Sequence, residues 1–75
     1  MTHTHNFPTY SQNIIGRNSL SIVIATLVND SQWFEVMPLP DDHYMVKVRE
    51  ENKGMLQRIA LLAVDVVPLV KDAKG

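Results

Sequence analysis

The sequence predicts a small α+β domain, a helix–β-hairpin–helix (αββα) arrangement in which two helices cover one face of an antiparallel hairpin. Three observations carry that prediction. Trp33 to Glu50 reads as strand, turn and strand. Residues on either side of it repeat their apolar positions at helical spacing. The chain has 75 residues, enough for one small core and no more.

The hairpin fixes its own register. Side chains on a strand alternate between faces. If Val36 lies opposite Val46, then Phe34 faces Val48 and Pro38 faces Tyr44 on one apolar side. The other side then pairs Trp33 with Arg49, Glu35 with Lys47 and Met37 with Met45. A cation–π pair and an ion pair there each contribute about 0.2–1 kcal/mol. Slipping by one residue would mix charged and apolar positions on both faces, which a half-buried sheet resists. This register leaves Leu39 to His43 as a five-residue loop. Pro38 has no N–H to donate, so its strand belongs at an edge.

Asn18 to Gln32 supports two readings. Alternation of Leu20, Ile22 and Ile24 suits a strand, whereas Leu20, Val23, Ile24, Leu27 and Val28 share a helical face. As a strand both faces would be partly apolar, so the helix is preferred, with Asn18 as its cap and Asn29-Asp30-Ser31 as its end. The second helix follows Glu50, Glu51 and Asn52, whose charge suits a helix start. Met55, Leu56, Ile59, Ala60, Leu62, Ala63, Val66 and Val67 form its apolar face, with Gln57, Arg58 and Asp65 opposite. Pro68 should stop it. The expected core is Leu20, Val23, Ile24, Leu27, Phe34, Val36, Tyr44, Val46, Val48, Leu56, Ile59, Leu62, Ala63 and Val66. Residues 1–8 are expected to be disordered, residues 9–70 to form the domain, and residues 71–75 to fray. Thr9 to Arg17 reads as an irregular lead-in whose isoleucines pack on the domain.

Composition narrows the function classes. Seven basic and eight acidic residues give a net charge of −1, and they are interspersed, unlike a nucleic-acid arm or acidic tail. With no cysteine, disulfides and thiolate metal sites are excluded. The apolar-rich stretch from Met55 to Val70 is interrupted by Arg58, Asp65 and Pro68, which disfavours a membrane span. A soluble, cytoplasmic protein is the expectation.

Candidate sites for chemistry are weak. His3 and His5 are imidazole donors, but no third ligand lies near and loss of Met1 before Thr2 would destroy a terminal copper or nickel site. Asp41, Asp42 and His43 place acids beside a histidine. Neighbours in a hairpin loop seldom converge on one proton as general acid–base work requires, and the turn itself accounts for them, an aspartate bonding the backbone. There is no glycine-rich phosphate loop, dinucleotide pattern or zinc motif. No cofactor, metal or catalytic residue is expected.

Surfaces are more informative. Trp33, Met37 and Met45, rimmed by Glu35, Lys47 and Arg49, form an apolar-centred patch on the face the helices leave open. Tryptophan and methionine are enriched at protein interfaces. Either a partner covers this patch, or the N-terminal segment does so through Phe7, Tyr10 or the isoleucines. Leu61 and Val64 fall on the polar side of the second helix and suggest a partner too. The expected function is therefore a non-enzymatic protein–protein interaction module, a regulator, inhibitor or accessory subunit. The alternative is nucleic-acid binding by Arg17, Lys47, Arg49 and Lys53 beside Trp33, opposed by Glu35, Glu50 and Glu51. A homodimer is also expected, since a lone hairpin has two open edges and one bare face. Pairing of Tyr44–Glu50 edges is preferred over stacking of bare faces, which would bury Glu35, Lys47 and Arg49.

Overall fold

A computed structural model describes residues 7–74, with side chains for residues 7–64. In chain order the elements are β1 (Thr9–Ile15), α1 (Arg17–Asn29), β2 (Phe34–Leu39), β3 (His43–Arg49) and α2 (Lys53–Lys74). A 3₁₀ turn over Glu50–Asn52 leads into α2. The α+β class holds, but the sheet has three strands in the order β1-β3-β2, all neighbours antiparallel. The lead-in over Thr9–Ile15 is thus a strand. β1, α1 and β2 form a crossover with one strand position between its two strands, and β3 fills it. That is a split β-α-β unit.

The hairpin register is the expected one: Phe34↔Val48, Glu35↔Lys47, Val36↔Val46, Met37↔Met45 and Pro38↔Tyr44. The ladder reaches one pair further, to Leu39↔His43, so the loop is Pro40-Asp41-Asp42 rather than five residues. Asp41 and Asp42 take φ of 63° and 62°, a left-handed geometry that aspartate tolerates better than most residues. Trp33 lies just outside the ladder, which starts at Phe34.

β1 pairs with β3 so that Tyr10, Gln12 and Ile14 stand opposite Val48, Val46 and Tyr44. These residues share the helix-covered face. The core is Ile14, Val23, Leu27, Val46, Val48, Leu56, Ile59, Ala60 and Ala63, with Tyr10, Leu20, Ile22, Phe34, Val36 and Met55 packed around it. Ile14 and Ala60 join the expected core. Tyr44, placed in the core by the hairpin register, is only half-buried and uses its hydroxyl elsewhere. Leu62 is a clear correction: it is 56 % exposed. At about 100° per residue it stands roughly 120° around the helix from Leu56, off the stripe of Leu56, Ile59, Ala60 and Ala63 that the sheet and α1 cover. Val66 lies outside the described side chains, and residues 1–6, with His3 and His5, outside the described chain.

The helix ends also differ from expectation. α1 begins at Arg17, so Asn18 lies inside it and Gly16 is the N-cap. Gly16 has φ of 92°, which side-chain-bearing residues rarely adopt, and its carbonyl accepts the first helical bond from Leu20 at 3.0 Å. At the other end the Gln32 N–H reaches the Leu27 carbonyl (2.9 Å) and the Ser31 N–H that of Val28 (3.0 Å). This is a Schellman closure, with Ser31 at φ 56° where glycine is usual. The Asn52 side-chain amide donates to the Gln32 side chain at 2.9 Å, tying the start of α2 to the end of α1. α2 continues through Pro68 to Lys74. The proline removes one backbone bond there without ending the helix.

Candidate functional surfaces

Both helices pack on one side of the sheet, and the other side presents the odd-numbered strand residues. On β2 and β3 these are Glu35, Met37, Leu39, His43, Met45, Lys47 and Arg49. Met37 is 59 % exposed and Ile15, on β1, 65 %. A shallow hollow on this face is lined by Glu35, Met37, Pro38, Met45 and Lys47. The Lys47 ammonium lies 3.7 Å from the Glu35 carboxylate, both partly solvated. Such a pair positions its side chains more than it stabilises the fold. The structure thus brings Glu35, Met37, Met45 and Lys47 together as expected.

Trp33 and Arg49 are arranged differently. The Arg49 guanidinium stands over the Phe7 ring at 4.3 Å, and Phe7 meets Trp33 edge to face at 5.1 Å between centroids. Arg49 Nε is 3.6 Å from Glu51, an ion-pair distance too long for a good hydrogen bond. The Pro8 carbonyl accepts the Glu50 N–H at 3.0 Å. Phe7 therefore caps one end of the free face, and among the described residues none covers the Met37–Met45 centre.

Arg17 stands apart from the other basic candidates. Thr9↔Arg49 marks one end of β1 and Ile15↔His43 the other, so Arg17 and Arg49 stand about 20 Å apart along the strand. Lys47 and Arg49 each face a glutamate, and Lys53 lies over the Tyr10 ring at 5.3 Å.

The acid–histidine cluster is a structural latch. Asp42 accepts from the Tyr44 hydroxyl at 2.7 Å and from the Arg17 N–H at 3.3 Å. Its own carbonyl accepts from the Gly16 N–H at 2.7 Å. The Tyr44 bond first, then that of the Arg17 amide, holds the Asp42 carboxyl below the ordinary aspartate range, and the same bond raises the Tyr44 phenol. His43 instead meets the Asn13 side-chain amide at 3.0 Å. Asp42 thus clips the hairpin tip to the β1–α1 corner through Oδ2 and its carbonyl, while Oδ1 is held by Tyr44 within the hairpin. Among the described residues no group of three or more histidines, aspartates or glutamates could hold a metal ion.

A second surface was visible from the sequence only in part. Leu61 and Val64 are 66 % and 55 % exposed, as expected. They border a groove between α2 and β1 whose floor includes Ile14, Gln12 and Ala60. Without β1 as a strand, nothing in the sequence reading gave them a neighbour. Among the described residues no helix is long and apolar enough to cross a membrane. No protein-family model, curated protein or solved structure matches this chain.

Proposed function

We propose that this protein is a non-enzymatic interaction module that binds a protein partner through the helix-free face of its sheet. One observation carries the reading: both helices lie on the same side, so among the described residues none covers exposed Met37 and half-buried Met45 on the other, rimmed by Glu35, Lys47 and Arg49. An apolar centre inside a charged rim is the usual anatomy of a recognition patch. Three strands of about seven residues present a face roughly 14 by 24 Å. That footprint is modest beside the ~800 Å² per partner of a standard stable interface, so the face suits a transient contact, or one that continues over its edges.

A second copy is one such partner. The Tyr44–Glu50 edge expected to pair is not available, because β3 is the central strand with β1 on one side and β2 on the other. Of the two routes considered for self-association, stacking of the free faces is the one that remains.

The test is capture from an extract of the source cell with the full chain and with Met37→Lys, read at low and high salt, beside sedimentation of the pure protein at micromolar concentration. A protein retained by the parent chain, lost with Met37→Lys and held in high salt supports the reading, as does a dimer that Met37→Lys dissociates. Retention of nucleic acid that falls steeply with salt and persists in Met37→Lys would overturn it.

A further inference from the structure

The two edges of the sheet are built differently. Hydrogen bonds in an antiparallel ladder join directly opposed residues at every second position. The bonds from Glu50 N–H to the Pro8 carbonyl and from Gly16 N–H to the Asp42 carbonyl lie on the β1–β3 register. They show that the even-numbered residues of β1 turn their backbone groups toward β3. The amides and carbonyls of Thr9, Ser11, Asn13 and Ile15 therefore point outward. By the same alternation Pro38 faces outward on β2, where its missing N–H costs the ladder nothing and denies a donor to any incoming strand. β2 also carries Glu35. Proline and charge are the usual guards of an exposed edge. β1, with the sequence TYSQNII, has no charge, no proline and no glycine.

That unguarded edge lies under a roof. The helices lie closer to β1 and β3 than to β2; Ile14 is buried, and Tyr10, Phe34 and Val36 are partly so. α2 reaches β1 directly, Gln57 meeting the Tyr10 hydroxyl at 3.4 Å. Leu61 and Val64 stand on the outer flank of α2, above the groove beside β1. Among the described residues, the place next to β1 thus offers a row of backbone groups without a strand partner below and apolar side chains above.

We propose that the outer edge of β1, roofed by α2, takes an extended segment of another protein as a fourth strand. Only a β-strand supplies donors and acceptors at the spacing of Thr9, Ser11, Asn13 and Ile15, and strand addition is an established mode of peptide recognition. The groove is uncharged along β1 and at Ala60, Leu61 and Val64. It therefore selects a segment of about seven residues, to match β1, that is uncharged and carries apolar side chains at alternate positions toward α2. A second copy joined β1 to β1 is the alternative occupant that the test below distinguishes. The β2 edge of another copy is closed by Pro38. This site is separate from the helix-free face.

The experiment titrates the isotope-labelled full chain with a capped heptapeptide of alternating threonine and valine and follows its amides and methyl groups by NMR. Expected are shifts and slowed hydrogen exchange at Thr9, Ser11, Asn13 and Ile15, with methyl shifts at Leu61 and Val64. Ser11→Pro should keep the folded spectrum, because its N–H points outward, and should lose the response; Leu61→Lys should lose it as well. Met37→Lys should keep it, which separates this site from the face reading. The same peptide with proline at its centre should give no response. Absence of any response, shifts centred on Met37 and Met45, or an equal response in Ser11→Pro would overturn the proposal. So would a peptide-free dimer that protects the β1 amides.

Discussion

Two leucines on α2 provide a direct test of the packing. Leu56 is fully buried, while Leu62 is 56 % exposed. Truncating a buried leucine removes its transfer free energy and leaves a cavity, about 2–5 kcal/mol in all. A chain of 75 residues has a total stability of roughly 4–11 kcal/mol at the usual value per residue, so Leu56→Ala should consume a large share of it. Leu62→Ala forfeits less than half of a leucine's burial, opens no cavity and gains slightly in helix propensity. Its cost should stay below about 1 kcal/mol. Urea unfolding followed by far-ultraviolet circular dichroism measures both, with the dependence on urea held constant so that midpoints report stability. Equal losses for the two variants would refute the reasoning. If they also grew with protein concentration, Leu62 would be buried in an assembly instead of facing solvent.

Gly16→Ala should cost about 1–3 kcal/mol, because φ of 92° is strained for any residue with a Cβ; an unchanged unfolding midpoint would show that the β1–α1 corner is formed differently. Ser31→Gly should instead stabilise by up to about 1 kcal/mol, relieving the left-handed geometry at the end of α1 where glycine is favoured. The Asp42 carboxyl is held below its unfolded value. Its contribution is therefore present above the unfolded pKa and lost as pH falls through the lower folded one. Tyr44 is raised, so its share is lost as pH rises through its folded value. Asp42→Asn should flatten the acid limb of a stability–pH curve relative to the parent chain, and an unaltered limb would rule out the latch. Glu35→Gln should change stability by less than about 1 kcal/mol, given an exposed pair at 3.7 Å of the kind that contributes little.

What could be read in the sequence was whatever had a strong local period or a pairing rule. The β2–β3 register followed from the need to keep Val36 and Val46 on one face and Glu35 and Lys47 on the other. α1 followed from helical spacing, even though Ile22, which fits that spacing badly, packs against the core. β1 was hidden because its inward residues are Tyr10, Gln12 and Ile14. A polar glutamine at the middle position and the adjacent Ile14 and Ile15 blur the alternation that marks a strand. Gly16 looked like an interruption and is instead the hinge that lets β1 turn into α1. Leu62 was misplaced because the ten apolar residues over Met55–Val67, eight of them grouped on one face, suggested a wide buried arc. A sheet of three strands covers only a narrow stripe of the helix above it.

The same omission accounts for what was missed of the candidate surfaces. With a hairpin alone, Tyr44–Glu50 was the better open edge and Leu61 and Val64 had no neighbour. Adding β1 closes the first and explains the second, since an exposed apolar flank on α2 now lies beside an exposed edge. Charge or proline on an exposed edge strand discourages pairing with other chains, so a neutral edge is tolerated where a partner covers it and hazardous where none does. The outer edge of β2 carries Glu35 and Pro38 and is arranged to stay open to water. The edge of β1 carries neither, and α2 shelters the position beside it. That asymmetry, legible once the ladder direction of Gly16 and Pro8 is known, is a stronger guide to a binding site than the exposure of any single side chain.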